Sequence, residues 1–268
     1  MNDLDLEHAR QSYEQNGACI LRGAFGKVWL DLVEEAIEEA LKNPGPHAER
    51  YGPAGAELFF GDLDMWTRSP RFEKFVRESP AARLAGEIMG AKAATFLYDQ
   101  LLVKEPGSQE RTPWHQDQPY WAVSGWQVSS IWLPVDEAPK DVALQFVSGS
   151  HKWGHAYNPA HFADGTPYVG TGLPELPDIE AERDKYDILA WDVAPGDCLI
   201  FQGMMVHGAP GNPRAGRRRV LSTRWLGDDA RYRKPTGEVA IPTTLPDLPD
   251  GAPFTGPAYP TVWRAGAA

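Results

Sequence analysis

The spacing of apolar residues changes character near residue 93. Upstream, apolar positions recur at helical intervals, and residues 4–50 read as mostly helical. LEHARQSYEQNG runs to a stop at Gly17. KVWLDLVEEAIEEALKN (27–43) places Val28, Leu30, Leu32, Val33, Ala36, Ile37 and Leu41 on a helical repeat that PGP (44–46) ends. Between them, ACILRGAF (18–25) is short, apolar and strand-compatible. SPRFEKFVRESPAARLAGEIMG (69–90) reads as two short helices broken at Pro80. Downstream, ATFLYDQLLVKEPG, VSSIWLPVDEA, ALQFVSGS, AWDVAPGDCLIFQG and RRVLSTRWLG are short runs rich in aromatic and β-branched residues. Each is bounded by Gly, Pro, Asp or Ser, the punctuation of a strand-built sandwich or closed jelly roll.

The expected fold class is therefore mainly β with flanking helices, an α+β chain organised as one domain. Residues 1–92 form its helical N-terminal region, 93–235 its strand-built core and 236–268 a Pro-rich, irregular tail. Within the core, 152–189 is too long for an ordinary turn. Its Pro and Gly content and its place after SGSHKWG suggest a lid over the open end of the barrel, with Tyr157, Phe162, Tyr168 and Tyr186 as its apolar surface; the alternative is a solvated surface excursion.

Composition narrows the function classes. At 42% hydrophobic and 24% charged, with 10 Trp, the 268 residues can build an aromatic core or pocket. A net charge of −11 argues against nucleic acid or an anionic membrane as partner. The longest apolar runs, such as CLIF (198–201), are too short to span a bilayer, and MNDLDLEHAR lacks the apolar stretch of a secretory signal. Cys19 and Cys198 form no disulfide framework and no CxxC, which fits a reducing cytoplasm. Monomer and homodimer are both compatible with the pattern.

The candidate chemistry lies in TPWHQDQPYW (112–121). On a strand, His115 and Asp117 share one face and Gln116 points away. An imidazole and a carboxylate two apart supply two ligands of a facial triad, and His207 in FQGMMVHGAPGN is the candidate third. An HxD pair alone also occurs as a surface hydrogen bond, and a lone His207 also occurs as a satisfied core histidine. His151 reads as a turn histidine rather than a ligand. His8, His47, His155 and His161 read as solvated. In RRVLSTRW, Arg218, Val220 and Ser222 share a strand face. One arginine reaching into the barrel would need an anion there, while Arg217 and Arg219 would solvate the outer face.

Taken together, WHQD (114–117), QFVSGSHKWG (145–154), PGD (195–197) and VHGAPGN with RRVLS (206–222) resemble the phytanoyl-CoA dioxygenase family, and the likeness reaches back to YEQNGACILRGAF. The resemblance implies a double-stranded β-helix and an Fe(II)- and 2-oxoglutarate-dependent dioxygenase. In it His115, Asp117 and His207 bind iron, Arg218 pairs with the distal carboxylate of 2-oxoglutarate, and Ser222 supports that end. Gln100 and Trp132 fall where relatives contact the co-substrate. O2 is consumed, with release of succinate and CO2. Relatives often carry a hydroxyl residue two after the distal histidine, where this chain has Ala209. Related halogenases replace the carboxylate ligand by a small residue; Asp117 is present, so oxygenation is the default. Trp114, Tyr120, Trp121, Met204 and Met205 would wall the substrate pocket, or be plain core. The acidic balance favours a small metabolite or natural product over an acyl-CoA thioester. The rival class, a non-catalytic cupin-like barrel that holds a metal or small molecule, has no need of all four of His115, Asp117, His207 and Arg218.

Overall fold

In a computed structural model, residues 3–53, 58–162 and 164–266 are described. Helix α1 (Asp3–Asn16) closes at Gly17, whose φ of +88° suits glycine alone and whose N–H donates to Tyr13 O. A side chain at Gly17 would collide with Met205 and His151, so the turn can press directly against them. Strand β1 (Ala18–Leu21) and helix α2 (Lys27–Lys42) follow, α2 burying Val33, Ala36, Ile37 and Ala40. Helices α3 (Pro70–Glu78) and α4 (Ala81–Met89) meet at Pro80, and Gly90 ends α4 in the left-handed region.

The N-terminal region is less helical than its periodicity predicts. It also holds β2 (Glu49–Tyr51) and β3 (Phe59–Leu63), which extend the main sheet. FFGDL alternates Phe59, Gly61 and Leu63 against Phe60 and Asp62, but it is too short, and too interrupted by Gly and Asp, to stand out as a strand.

The core strands are β4 (Ala93–Lys104), β5 (Thr112–His115), β6 (Val123–Ser124), β7 (Val128–Pro134), β8 (Gln145–Val147), β9 (Ile188–Ala190), β10 (Cys198–Gln202), β11 (His207–Ala209), β12 (Arg218–Leu226) and β13 (Arg231–Tyr232), with β14 (Thr261–Arg264) in the tail. The main antiparallel sheet runs β1-β10-β7-β12-β4-β3-β2, and a second runs β5-β11-β8-β9. Their facing surfaces bury Trp132, Phe146, Leu199, Phe201, Met205 and Val220, the interior of a jelly roll. The tail is not wholly irregular. Thr261–Arg264 pairs with β4, and Gly86 lets α4 approach Trp263 closely, because any side chain there would overlap the indole.

Strand β12 shows how one sequence serves two layers. Leu221 and Trp225 join the core that α2, α3 and α4 build on the outer face of the sheet. Arg219 shares that face, and here the expectation of mere solvation fails. Its guanidinium meets Asp136, Glu38 and Glu34, and Arg217 meets Glu105 and Glu38, because α2 covers the face and brings its acids with it. The other face, Arg218, Val220, Ser222 and Arg224, looks into the barrel.

Asp99 lies fully buried on β4. Its carboxylate accepts Trp66 N–H at 3.1 Å, fixing the turn that crosses the sheet end. Burial, with Asp64 nearby, pushes this carboxyl up to about 7. A folded-state value above the unfolded one means stability that is full below the ordinary carboxylate range and lost as pH rises through 7. The span corresponds to roughly 4 kcal/mol at most. Asp99→Asn keeps the acceptor and removes the titration. Thermal unfolding followed from pH 5 to 8 should therefore show a shallower loss of Tm in the variant than in the wild type.

Candidate metal centre and its pocket

His115 and His207 are register partners on β5 and β11. Each ring is fixed by the same local device: Nδ1 donates to the carbonyl two residues earlier, Pro113 O at 2.8 Å and Met205 O at 2.9 Å. With Nδ1 carrying the proton, each Nε2 presents a lone pair. Both lone pairs converge on Asp117 Oδ1, at 3.3 Å from His115 and 3.7 Å from His207. The ligand atoms of all three residues lie within 4.8 Å of one another.

The route to this geometry differs in part from the alternation argument. Asp117 is not on the strand. It follows β5 with helical dihedrals (φ −71°, ψ −48°) and opens the 3₁₀ turn Gln118–Tyr120. His207 lies beyond the apolar strand. β10 stops at Gln202, the chain turns across the barrel, and His207 begins β11 in the opposite sheet. Gln116 does point away, donating to His155 O and Met204 O and accepting from Tyr157 N, so it ties the start of the 152–189 insert to the ligand loop.

Electrostatics suit a cation. Burial, with His115 close by, pulls the His207 imidazole down to about 3, so its lone pair is available. Burial alone would raise the Asp117 carboxyl, but the Arg224 guanidinium nearby holds it well below the usual carboxylate range. Two neutral imidazole nitrogens aimed at one ionised carboxylate oxygen repel unless a positive charge lies between them. A two-histidine, one-carboxylate donor set matches non-haem Fe(II).

The centre opens into a cavity of about 510 Å³ whose floor is the inner face of the main sheet. Register sets the floor in rows. Phe201, Ser130, Arg224 and Tyr98 align across β10, β7, β12 and β4, and the next row is Leu199, Trp132, Ser222 and Gln100. Arg218 stands opposite Lys104 at the far end. Arg218 is 3% exposed, donates to Val142 O, leaves Nε unpartnered and lies 5.9 Å from the Trp132 ring. Burial pulls its guanidinium down to about 10, and no carboxylate pairs with it among the described residues. Lys104 beside it is fully buried and donates to Pro210 O at 3.0 Å; burial and Arg218 hold its amine well below its usual range.

Of the expected pocket wall, Tyr120 and Trp121 line the cavity, as do Gln100, Trp132, Ser222 and Arg218. Trp114, Met204 and Met205 do not. Trp114 is adjacent to His115 on the strand and so faces the other way, donating to Glu180 at 3.0 Å. Met205 is core, and Met204 contributes its carbonyl to Gln116. His47 and His161 were expected in solvent, yet both line the mouth, His161 with its ring 4.5 Å from that of Tyr168 and paired with Glu238. His151 is buried against Trp126 and takes no part in the centre. From the insert, Phe162 lies 4.9 Å from the His115 ring and Tyr168 lies 5.3 Å from Tyr120, whereas Tyr157 and Tyr186 pack on Trp153 away from the cavity. Sequence reasoning passed over Ser130, Arg224 and Tyr98. The two-residue alternation from Trp132, Ser222 and Gln100 would have placed all three on the floor.

The sequence profile of the phytanoyl-CoA dioxygenase family matches residues 13–220. No curated protein sequence matches the chain significantly. Among solved structures of similar fold is SnoN, a non-haem α-ketoglutarate-dependent epimerase from nogalamycin biosynthesis (19% identity, 98% of this chain and 100% of that one, TM-score 0.77). A second is SnoK, a carbocyclase from the same biosynthesis (19% identity, 96% of each chain, TM-score 0.77). A third is EctD from S. alaskensis, with 2-oxoglutarate and 5-hydroxyectoine (17% identity, 95% of this chain and 88% of that one, TM-score 0.69). With its profile match covering most of the length, the chain belongs to the phytanoyl-CoA dioxygenase family of non-haem iron, 2-oxoglutarate-dependent oxygenases.

Proposed function

We propose that the chain holds Fe(II) through His115, Asp117 and His207, binds 2-oxoglutarate with its distal carboxylate on Arg218, and oxidises a small-molecule metabolite or natural product. The observation that carries this reading is the pairing, in one cavity, of a convergent two-imidazole, one-carboxylate donor set with a buried guanidinium that meets no carboxylate among the described residues. When bound, Fe(II) would supply the O2-dependent decarboxylation of 2-oxoglutarate, giving succinate and CO2, that drives oxidation of the substrate.

The protein's own groups would bind, orient and shield. Arg218 donates a charge-assisted pair at the end of the cavity remote from the metal, with Ser222 beside it on the same strand face. Trp132 offers a flat wall under that guanidinium, and Gln100 supplies amide hydrogen bonds midway. Tyr120, Trp121 and Phe162 crowd the metal side and keep water out. SnoN and SnoK belong to nogalamycin biosynthesis and EctD is seen with 5-hydroxyectoine, which supports a small molecule over an acyl-CoA thioester. Helices, paired sheets and tail act as one catalytic domain, and the two free, buried cysteines suit a cytoplasmic setting.

Three outcomes follow. With Fe(II), 2-oxoglutarate and O2 the protein should release succinate even without its substrate, and His207→Ala should fall to background; an unchanged rate in the variant removes His207 from the ligand set. Arg218→Ala should raise the apparent requirement for 2-oxoglutarate about 10- to 150-fold, the equivalent of roughly 1.5–3 kcal/mol, while metal affinity stays near that of the wild type. Limited proteolysis should cut the 152–189 insert readily in the apo protein and slowly with metal, 2-oxoglutarate and substrate bound. Equal cutting in both states would leave the insert as a surface excursion.

A further inference from the structure

We infer that Arg224 is a positioning residue that sets both the metal-binding carboxylate and the Gln100 amide; this rests on the metal and 2-oxoglutarate reading above. Arg224 is 4% exposed, on the cavity floor, in register with Ser130 on one side and Tyr98 on the other. Its Nη1 donates to Ser222 O at 3.1 Å and its Nη2 to Gln100 Oε1 at 2.8 Å. The same Nη2 stands 3.7 Å from Asp117 Oδ2, and the guanidinium lies 4.7 Å from the Tyr98 ring centre.

Two consequences follow from this fork. The first concerns Asp117. Its Oδ1 faces both imidazoles, while Oδ2 takes the Ser130 hydroxyl at 2.8 Å and the field of Arg224. With Oδ2 so engaged, the carboxylate offers the metal one oxygen in one orientation. The second concerns Gln100. A guanidinium has only donors, so the amide must turn its oxygen to Arg224, and its NH2 is left for the cavity. A flipped amide would set donor against donor. Arg224 thereby fixes Gln100 as a hydrogen-bond donor, the polarity that a carboxylate or keto oxygen requires. Arg218 has no such reach: it lies at the other end of the strand face, with Val220 and Ser222 between.

The alternative is that Arg224 is only a buried strut, pinned by Ser222 and stacked on Tyr98. Calorimetric titration of the full chain with Mn(II), which needs no O2, followed by 2-oxoglutarate into the Mn(II)-loaded protein, separates the two. Arg224→Met should weaken Mn(II) binding about 10- to 100-fold, the range for loss of a group that orients a metal ligand, and weaken 2-oxoglutarate binding as well. Gln100→Leu should lose 2-oxoglutarate affinity only. Arg224→Lys keeps the charge near Asp117 without the fork, so it should hold Mn(II) within a few fold and lose 2-oxoglutarate affinity as Gln100→Leu does. Wild-type affinity for both ligands in Arg224→Met, with a lowered Tm alone, overturns the inference. Should that variant not fold, wild-type 2-oxoglutarate affinity in Arg224→Lys overturns it equally. A wild-type protein that takes up no Mn(II), or a His207→Ala variant that binds it undiminished, instead overturns the metal reading and the inference with it.

Discussion

The hydrogen bond from each metal-side imidazole to the carbonyl two residues before it is the constraint on which the centre depends. Pro113 O and Met205 O take the Nδ1 protons, and so fix which nitrogen of His115 and His207 is bare. This is a local property of two short segments. What the fold adds is their meeting: β5 and β11 pair so that the two rings face each other with centroids 4.2 Å apart, and the turn after β5 swings Asp117 between them. Neither histidine needs a distant carboxylate to set its tautomer, which leaves the Asp117 carboxylate free to face both bare nitrogens.

The second organising feature is a set of buried basic side chains on the inner face of the main sheet. Arg218, Lys104 and Arg224 are all buried, and Asp117 is the acid that one of them approaches. Cations of this kind, removed from water, are stable only when a partner arrives or the proton leaves. The outer face of the same strand β12 shows the contrast. Arg219 finds three carboxylates from α2 and the β7 loop, and is a closed ion-pair network rather than a site.

Much of this was legible in the chain. The apolar period marked α2, α3 and α4, and the aromatic runs marked β4, β7, β10 and β12. His115, Asp117, His207 and Arg218 could be singled out because ligand chemistry restricts residue type and order. Less was legible where residue type is unremarkable or contact is purely tertiary. Ser130 and Arg224 carry no motif, and only the pairing register shows that they flank the carboxylate. Trp114 looked like a pocket wall because it neighbours His115, yet adjacency on a strand means opposite faces. Met204 and Met205 sit in a crossing between sheets that nothing in FQGMMVHG announces. His161 was read as solvated in a polar insert and His47 in the helical region; only the folded chain shows that those segments meet over the cavity.

The mouth of that cavity is built from three separate stretches, an edge segment at 46–51, the insert at 160–168 and the tail at 240–243. None of them supplies a metal-facing donor or a floor cation. His161 and Glu238 join two of these stretches to each other rather than to the floor. The mouth and the donor set beneath it thus lie on different pieces of the chain, so exchanges in these three stretches would reshape the opening while leaving the strand register under it intact.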